Sequence, residues 1–276
     1  MAVLKYIMLA IIIFVLFFPL YWMIQGSFLD TKGMAWIPPR FIPRTISFTN
    51  YKLLLIGETG GENKYVFSWA SNSVILVSMG VALIIAVTLP AGYAFSVFKF
   101  KGRNALFWLF ISATMLHAYM LIVPMFVVVK RLGIPLRLAA ILPILFSPVN
   151  IFLAKNFIDT IPRSLLDSAE LDGAGELRKI FSVVLPLCAP LIGILSLFGS
   201  ISLFGDFLWQ LLLFQQLKSQ TLVVGLIQWS MRATFLYVNQ IGVMLAAGTI
   251  LFGVMFVLFC FTSKYFTKGL NLQGVK

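Results

Sequence analysis

The sequence predicts an all-α, polytopic membrane protein with six transmembrane helices. Hydrophobic residues make up 61% of the 276-residue chain, charged residues make up only 11%, and the mean hydropathy is +1.00. A water-soluble domain cannot bury this much apolar surface. Several apolar runs are also long enough, at about 1.5 Å per helical residue, to cross a hydrocarbon core of about 30 Å. We therefore interpret residues 1–276 as a single transmembrane domain.

Six apolar segments account for the predicted spans. The first follows Lys5 without a small-residue cleavage site, which is typical of an uncleaved span rather than a leader. Pro90 lies inside the second span, and Pro143 and Pro148 lie inside the fourth. The predicted spans are residues 6–28, 69–98, 105–129, 138–154, 182–214 and 241–263. An even number of spans places both termini on the same side of the membrane.

Polar connections join these spans. Residues 29–66 hold three prolines and a Gly60-Gly61 pair, which predicts a loop with one short helix near residues 50–56. Residues 215–240 are predicted to form a loop, and residues 264–276 a polar tail. The basic residues of the short connections are divided almost evenly between the two sides, so the positive-inside rule favours cytoplasmic termini only slightly. Because the basic residues are scattered over both sides, they do not form the basic patch of a nucleic-acid surface, although the net charge is +12.

A polar segment, residues 158–181, interrupts the apolar pattern between the fourth and fifth spans. Pro162 suits the start of a helix, and Ser164 with Asp167 three residues later matches a capping box. Gly173 suits the left-handed backbone that ends a helix. The segment therefore begins as a short helix closed by a glycine turn.

The same segment continues into a second helix and a bent span. The second helix is predicted at residues 175–181, and Pro186 and Pro190 should bend the span that follows. Its charged residues include Asp167, Glu170, Asp172, Arg178 and Lys179. The segment is either a solvated interfacial loop without a partner or a hairpin that docks on a soluble protein.

The spacing within this segment resembles the EAA signature of ABC importer permeases. Asp167-Ser168-Ala169 is followed after three residues by Gly173, and Leu185-Pro186 closes the pattern two residues after Val183. The family pattern reads Glu-Ala-Ala, three residues, Gly, nine residues, Ile, one residue, Leu-Pro. Three positions differ here: Asp replaces Glu, Ser replaces the first Ala, and Val replaces Ile.

The resemblance extends over residues 72–276. Asn72-Ser73, residues 91–103 and residues 221–226 look like the corresponding stretches of the carbohydrate-uptake branch. The terminal residues 264–276 are similar to those of the maltose-type second permease subunit. The first span and first loop resemble those of that subunit in their type, but not in a specific residue pattern.

This resemblance implies the type I ABC importer permease fold, with a cytoplasmic hairpin that couples the permease to an ATPase. It implies a multi-pass protein of the bacterial cytoplasmic (inner) membrane with both termini cytoplasmic. The residues it assigns to ATPase coupling are Asp167, Ser168, Ala169, Glu170, Asp172, Gly173, Leu185 and Pro186.

The partners that the resemblance implies are the lipid bilayer, a homologous second permease in a heterodimer, a dimeric ATP-binding subunit and an extracytoplasmic solute-binding protein. ATP and Mg would be bound by the partner ATPase, so no cofactor is expected in this chain. The function implied is to form half of the translocation pathway of an ATP-driven importer for a sugar or oligosaccharide. A polyol or glycerol phosphate permease and, less well supported, a secondary transporter are the alternatives.

The sequence offers no catalytic or metal site. It contains no G-x-x-x-x-G-K-[ST] phosphate loop, no nucleophile elbow and no Cys/His cluster at metal spacing. The two cysteines, Cys188 and Cys260, lie in apolar runs and are interpreted as packing residues. A secondary transporter should show an internal repeat, and none is found. The chain is therefore predicted to be a non-catalytic subunit.

Polar residues inside the predicted spans are candidates for the solute pathway. Asp206 in the fifth span is followed by Trp209 and Gln210, and a carboxylate, an amide and an aromatic face suit a sugar. A structural hydrogen bond between helices explains them equally well. His117, Tyr119 and Asn150 are further candidates. For His117 and Tyr119 the alternative is helix packing, and Asn150 could bond a backbone carbonyl that Pro148 leaves free.

Overall fold

The computed structural model describes residues 2–29, 46–56, 62–116, 118–236 and 241–271, and these residues contain helices and turns but no strand. His117, most of the first loop and the last five residues of the tail lie outside the described residues. The α-helices are α1 Ala2–Ser27, α2 Thr49–Leu55, α3 Val66–Val97, α4 Arg103–Ser112, α5 Ala118–Arg131, α6 Leu136–Leu145, α7 Pro148–Asp159, α8 Arg163–Leu171, α9 Glu176–Lys179, α10 Leu185–Leu187, α11 Ala189–Gly205, α12 Leu208–Leu213, α13 Leu222–Leu236 and α14 Ile241–Asn271. A π turn occupies Ile180–Val184. Short 3₁₀ turns occupy Glu62–Tyr65, Ala113–Met115 and Leu217–Ser219.

Among the described residues, three helices are long and apolar enough to cross a membrane, and they lie within α1, α3 and α14. Three pairs of shorter helices pass the same test when each bent pair is taken as one span. The described part of the chain therefore offers up to six spans. The prediction of an all-α, polytopic membrane protein is confirmed.

A proline explains where one of these pairs bends. The axes of α6 and α7 differ by 54°, and Pro148 is the first residue of α7. Proline fits a first helical turn, where its missing N–H needs no partner, but it disfavours helical backbone at the residue before it. A span predicted as one helix over residues 138–154 is therefore two helices. Pro90, in contrast, lies within the continuous α3.

The described residues group into two compact units, and the first comprises Met1–Asn72 and Gln216–Met255. Within it, the amide of Asn50 donates to the carbonyls of Ser27 (2.9 Å) and Leu29 (2.7 Å) at the end of α1. The indole of the buried Trp69 donates to the carbonyl of Leu217 (2.6 Å). Asn50 thereby satisfies carbonyls at the end of α1 that have no partner within the helix.

The second unit comprises Ser73–Gln215 and Phe256–Lys276. A buried apolar cluster joins the later turns of α3 to α7, α8 and α11. Its members are Leu89, Tyr93, Ala154, Ile158, Ile161, Leu166, Ile180, Val184, Cys188, Leu191 and Leu195. Gly92 lets α3 approach α7 closely, because a methyl group there would collide with Ala154. This cluster supports the polar segment predicted between the spans.

The prediction of a loop over residues 215–240 is wrong for much of its length. Residues Leu222–Leu236 form α13, and Leu222, Val224 and Leu226 are buried. Scattered glutamines suggested a polar loop, but the apolar residues among them form the first turns of a helix that is buried on all sides. The predicted tail also begins as helix, since α14 continues to Asn271.

Candidate functional site

The polar segment forms a hairpin, residues 163–187, in which a glycine turn separates two helical arms. Gly173 follows α8 with a left-handed backbone (φ +78°). Its amide donates to the carbonyl of Glu170 (2.9 Å), and the amide of Ala174 donates to the carbonyl of Ala169 (2.9 Å). This pair of bonds is the Schellman closure of a helix end. The predicted stop at Gly173 is confirmed.

The start of α8 differs from the prediction. The N-cap residue is Pro162, and no side chain caps the helix. The predicted capping box is wrong because the helix already begins at Arg163, which places Ser164 inside its first turn. The first turn contains no acidic residue, so Asp167 does not lie at the positive end of the helix.

The second arm is shorter and less regular than predicted. Helix α9 covers only four residues and continues into the π turn Ile180–Val184. Pro186 lacks the N–H that would bond the carbonyl of Ser182, and wider turns of this kind accompany such breaks. The helical segment that ends at Leu187 meets α11 at an angle of 80°. The predicted bend near Pro186 and Pro190 is confirmed.

A buried lysine joins the two arms. The side chain of Lys179 is only 5% exposed, and its Nζ donates to Oε2 of Glu170 (2.7 Å) and to Oε1 of Glu176 (3.0 Å). The hydroxyl of Tyr93 on α3 donates to Oε2 of Glu176 (2.7 Å). Hydrogen bonds to charged groups are about twice as strong as neutral ones. This set of four residues, the Lys179 brace, ties α8 and α9 to each other and to α3.

A second polar network holds the base of the hairpin. Asp159 accepts from the hydroxyl of Ser96 (2.6 Å) and from the ammonium group of Lys155 (2.7 Å). Arg163 donates to the carbonyl of Ser96 (3.0 Å) and lies 3.7 Å from Asp159. The last carbonyls of a helix lack partners within it, so Arg163 completes the end of α3. The hairpin is thus anchored at its base as well as braced across its arms.

The residues assigned to coupling have different environments. Asp167, Ser168 and Asp172 are exposed on the first arm, whereas Glu170 is committed to Lys179. The others lie along the hairpin as follows: Ala169 is half-buried on α8, Gly173 is the exposed turn, Leu185 is half-buried on α10 and Pro186 is exposed beside it. The residues assigned to coupling therefore include both surface residues and residues that shape the hairpin.

Three large apolar side chains of the hairpin are more than half exposed to solvent. Leu171 is 90% exposed, Leu177 is 72% exposed and Phe181 is 63% exposed. Most of the other exposed residues between Arg163 and Ser182 are polar or charged. Exposed apolar side chains grouped on a polar element indicate a surface that another protein covers.

Several residues that hold the hairpin in place were not predicted from the sequence. Tyr93 lies in a stretch used only for the family resemblance, and its bond to Glu176 spans 83 positions. A local signal did exist at the base, because Lys155, Asp159 and Arg163 are spaced four residues apart. Opposite charges at this spacing meet on one helix face.

The candidate solute residues of the fifth span lie beside a helix break. Asp206 follows the end of α11 and accepts from the amide of Trp209 (3.3 Å). Trp209 is buried and its indole donates to the carbonyl of Ala139 (3.0 Å). That carbonyl lacks a helical partner because Pro143, four residues later, has no N–H. The amide of the buried Gln210 donates to the carbonyl of Leu203, near the end of α11. These contacts favour the structural interpretation, and a role in solute binding stays a prediction.

Replacing Trp209 separates the two interpretations. Trp209→Phe keeps the ring but removes the donor, which should lower thermal stability by about 1 kcal/mol. Pro143→Ala restores an N–H for the Ala139 carbonyl, so the loss should shrink when both substitutions are combined. Thermal unfolding of the wild type, the two single variants and the double variant in detergent measures this coupling. A raised KM for uptake with unchanged stability would instead favour contact with the solute.

The remaining candidates have little structural support for a shared site. His117 lies outside the described residues. Tyr119 lies in the first turn of α5 and is 66% exposed. Asn150 lies in the first turn of α7 and is half-buried. Their roles stay predictions.

Comparison with known proteins agrees with this architecture. The chain is 30% identical over 275 residues to the arabinooligosaccharides transport system permease protein AraQ of Halalkalibacterium halodurans, covering 97% of this chain and 94% of that protein. It is 31% identical over 283 residues to the galactooligosaccharides transport system permease protein GanQ of Bacillus subtilis, covering 99% and 94%. Permease proteins of maltodextrin transport systems are also among the relatives, which agrees with the maltose-type resemblance.

A solved structure shares the fold. It is the crystal structure of a bacterial ABC transporter involved in the import of the acidic polysaccharide alginate, and it matches with a TM-score of 0.78 at 21% identity over 96% of both chains. Residues 88–271 match the family model of the binding-protein-dependent transport system inner membrane component. This matched region contains the hairpin, the Lys179 brace and the base network. The chain therefore belongs to the family of binding-protein-dependent transport system inner membrane components, and the resemblance to ABC importer permeases is confirmed.

Proposed function

We propose that this chain is the permease subunit of an ATP-driven importer for an oligosaccharide, and that its hairpin receives the motion of a separate ATPase. The relatives named for arabinooligosaccharide, galactooligosaccharide and maltodextrin transport support this solute class. Family membership supports the role of a multi-pass permease. The ATPase, a second permease and a solute-binding protein are the proposed partners.

The braced hairpin with exposed apolar side chains is the observation that carries the proposal. A loop that is merely solvated needs neither a buried lysine between its arms nor large exposed apolar residues. Leu171, Leu177 and Phe181 offer a surface that a groove on the ATPase would cover. The neighbouring exposed Asp167 and Asp172 would meet basic groups at the rim of that groove. The hairpin then lies in the cytoplasm, together with both termini.

The mechanism transmits motion through rigid contacts. ATP and Mg are bound and used by the partner ATPase, which moves the hairpin as its subunits close and open. The Lys179 brace keeps the two arms from flexing separately. The apolar cluster and the base network then pass the displacement to α3, α7 and α11. Packed helices move as units, so a shift at the hairpin changes which side of the membrane the pathway faces.

Site-specific crosslinking tests the docking surface. In a Cys260→Ser background, Leu171→Cys should crosslink to an ATPase subunit that copurifies with the tagged chain, because Leu171 is 90% exposed on the hairpin. Leu132→Cys is the matched control, since Leu132 is 70% exposed in the turn after α5 and outside the hairpin. Mass spectrometry of the crosslinked product identifies the partner. An equal yield from both positions, or no ATPase in the preparation, would contradict the proposal.

An uptake assay tests the solute class. Cells that carry the intact transporter should take up radiolabelled oligosaccharides from a panel of pentose and hexose oligomers. Polyols and glycerol phosphate serve as the comparison solutes. Uptake of these comparison solutes alone would overturn the assignment to oligosaccharides while leaving the coupling mechanism standing.

A further inference from the structure

A polar cleft of about 560 Å³ opens where α3 ends beside α7 and α8. Six charged residues line it: Lys99, Arg103, Lys155, Arg163, Asp159 and Asp167. Four of them are basic and two are acidic, so the cleft carries an excess of positive charge. Neither the coupling hairpin nor the solute pathway uses this excess.

The charges of the cleft divide into a paired and an unpaired group. Asp159 is bound by Lys155 and lies close to Arg163, so both of these cations are already engaged by one carboxylate. Within the described ranges, Lys99 and Arg103 form no ion pair. Arg103 donates one hydrogen bond to the carbonyl of Phe98 (3.2 Å), and a guanidinium group has further donors to offer. The unpaired positive charge therefore lies at the turn between α3 and α4.

A second concavity, of about 480 Å³, shares Lys99 and Arg103 with the cleft and adds Lys101. Gly102 lies in it as the N-cap of α4, with a left-handed backbone (φ +84°) and no side chain to cap the helix. The positive end of α4 therefore faces the same space as the three basic side chains. The helix end and the three basic side chains together favour the binding of an anion.

Apolar surface lies directly beside these cations. Helix α4 presents Leu106, Trp108 and Leu109 to the outside, with exposures of 48%, 65% and 68%. The rings of Phe95 and Phe107 pack behind them, with centroids 5.5 Å apart. Helix α3 ends and α4 begins at this turn, and both belong to candidate spans. The turn therefore lies at the depth of the lipid headgroups, with cations above an apolar face.

We propose that this cleft binds the phosphodiester headgroup of an anionic membrane phospholipid. Lys99 and Arg103 bind the phosphate, and the exposed face of α4 contacts the glycerol backbone and acyl chains. A small soluble phosphate would use the cations but not the apolar face. The bound lipid would fill the space between the α3–α4 turn and Asp167 on the first arm of the hairpin, and so support the base of the hairpin. This assignment does not depend on which solute the transporter carries.

Lipid binding to the purified full-length chain, with the subunits that accompany it, tests the proposal. Native mass spectrometry would measure binding of phosphatidylglycerol and of phosphatidylcholine. We expect a preference for phosphatidylglycerol of about tenfold or more, and its loss in Lys99→Gln/Arg103→Gln, because each cation near a membrane surface contributes to binding. Neither side chain forms an ion pair with any residue that the structure describes, so the double variant should fold. Asp167→Asn should strengthen binding, because it removes a negative charge from the cleft.

The matched control is Lys130→Gln/Arg131→Gln, which removes the same charge from the exposed end of α5. This control should keep the wild-type preference for phosphatidylglycerol. An equal loss in both double variants would show unspecific attraction and overturn the proposal. Undiminished preference in Lys99→Gln/Arg103→Gln would also overturn it. Competition by free glycerol 3-phosphate as strong as that by the lipid would assign the cleft to a soluble anion instead.

Discussion

Gly173→Pro should abolish solute uptake while leaving the chain in the membrane. Proline fixes φ near −65°, whereas Gly173 has a φ of +78°. Proline also removes the amide that bonds the carbonyl of Glu170 at 2.9 Å. Both changes open the turn between the two arms, so the hairpin can no longer carry a displacement. Uptake by intact cells, with the amount of membrane-inserted protein measured in parallel, checks this outcome.

Two alanine substitutions make this test specific. No atom lies within 4 Å of a methyl group built at Gly173 or at Gly175, so neither substitution causes a collision. Gly173→Ala should still cost about 1–2 kcal/mol, because an L-residue is strained in left-handed backbone. Gly175 has an ordinary φ of −66°, and Gly175→Ala should leave uptake unchanged. Normal uptake by Gly173→Pro would show that the hairpin is not the coupling element.

Lys179→Met should reduce uptake by about tenfold, because it lowers the stability of the hairpin. Methionine keeps the length and apolar stem of the side chain but removes the charge that joins Glu170 and Glu176. The two carboxylates would then repel each other across the arms. The cost stays below that of a fully buried pair, because the side chains of Glu170 and Glu176 are 71% and 48% exposed.

The neighbouring cation provides the control for the brace. Arg178→Met removes the same charge from the same helix, but Arg178 is exposed and forms no ion pair within the part of the chain that the structure describes. Arg178→Met should therefore keep normal hairpin stability. Proteolysis at the hairpin, measured over time in membranes, reports the loosening of the arms directly. Equal cleavage rates for Lys179→Met and the wild type would refute the role of the brace.

The hairpin shows why sequence reasoning succeeded locally. Gly173 predicts the left-handed backbone of the turn, because few other residues tolerate positive φ. Pro186 and Pro190 likewise predict a bend. The EAA-like spacing added the family resemblance, which composition alone does not contain. The error at residues 215–240 has a local cause, since the glutamines of that stretch outweighed the apolar pattern that forms α13.

Long-range contacts account for what sequence reasoning did not find. Trp209 and Ala139 are 70 positions apart, and Ser96 and Asp159 are 63 positions apart. The missing N–H of Pro143 indicates that a carbonyl needs a donor, but it does not indicate which side chain will provide it. Trp209 was therefore equally compatible with a sugar and with a backbone carbonyl.

The amino-acid sequence by itself determined that the chain is an all-α membrane protein and where its hairpin turns. Hydrophobicity, glycine and proline act on their own neighbourhood, so their effects follow from composition and position. Only the tertiary structure decided that Lys179 is buried between two glutamates and that Tyr93 binds Glu176, one of them. It also decided that Lys99 and Arg103 lie beside an apolar face and form no ion pair with the described residues. These facts depend on which distant residues the helix packing brings within hydrogen-bonding distance of each other. A local sequence pattern does not determine which residues those are.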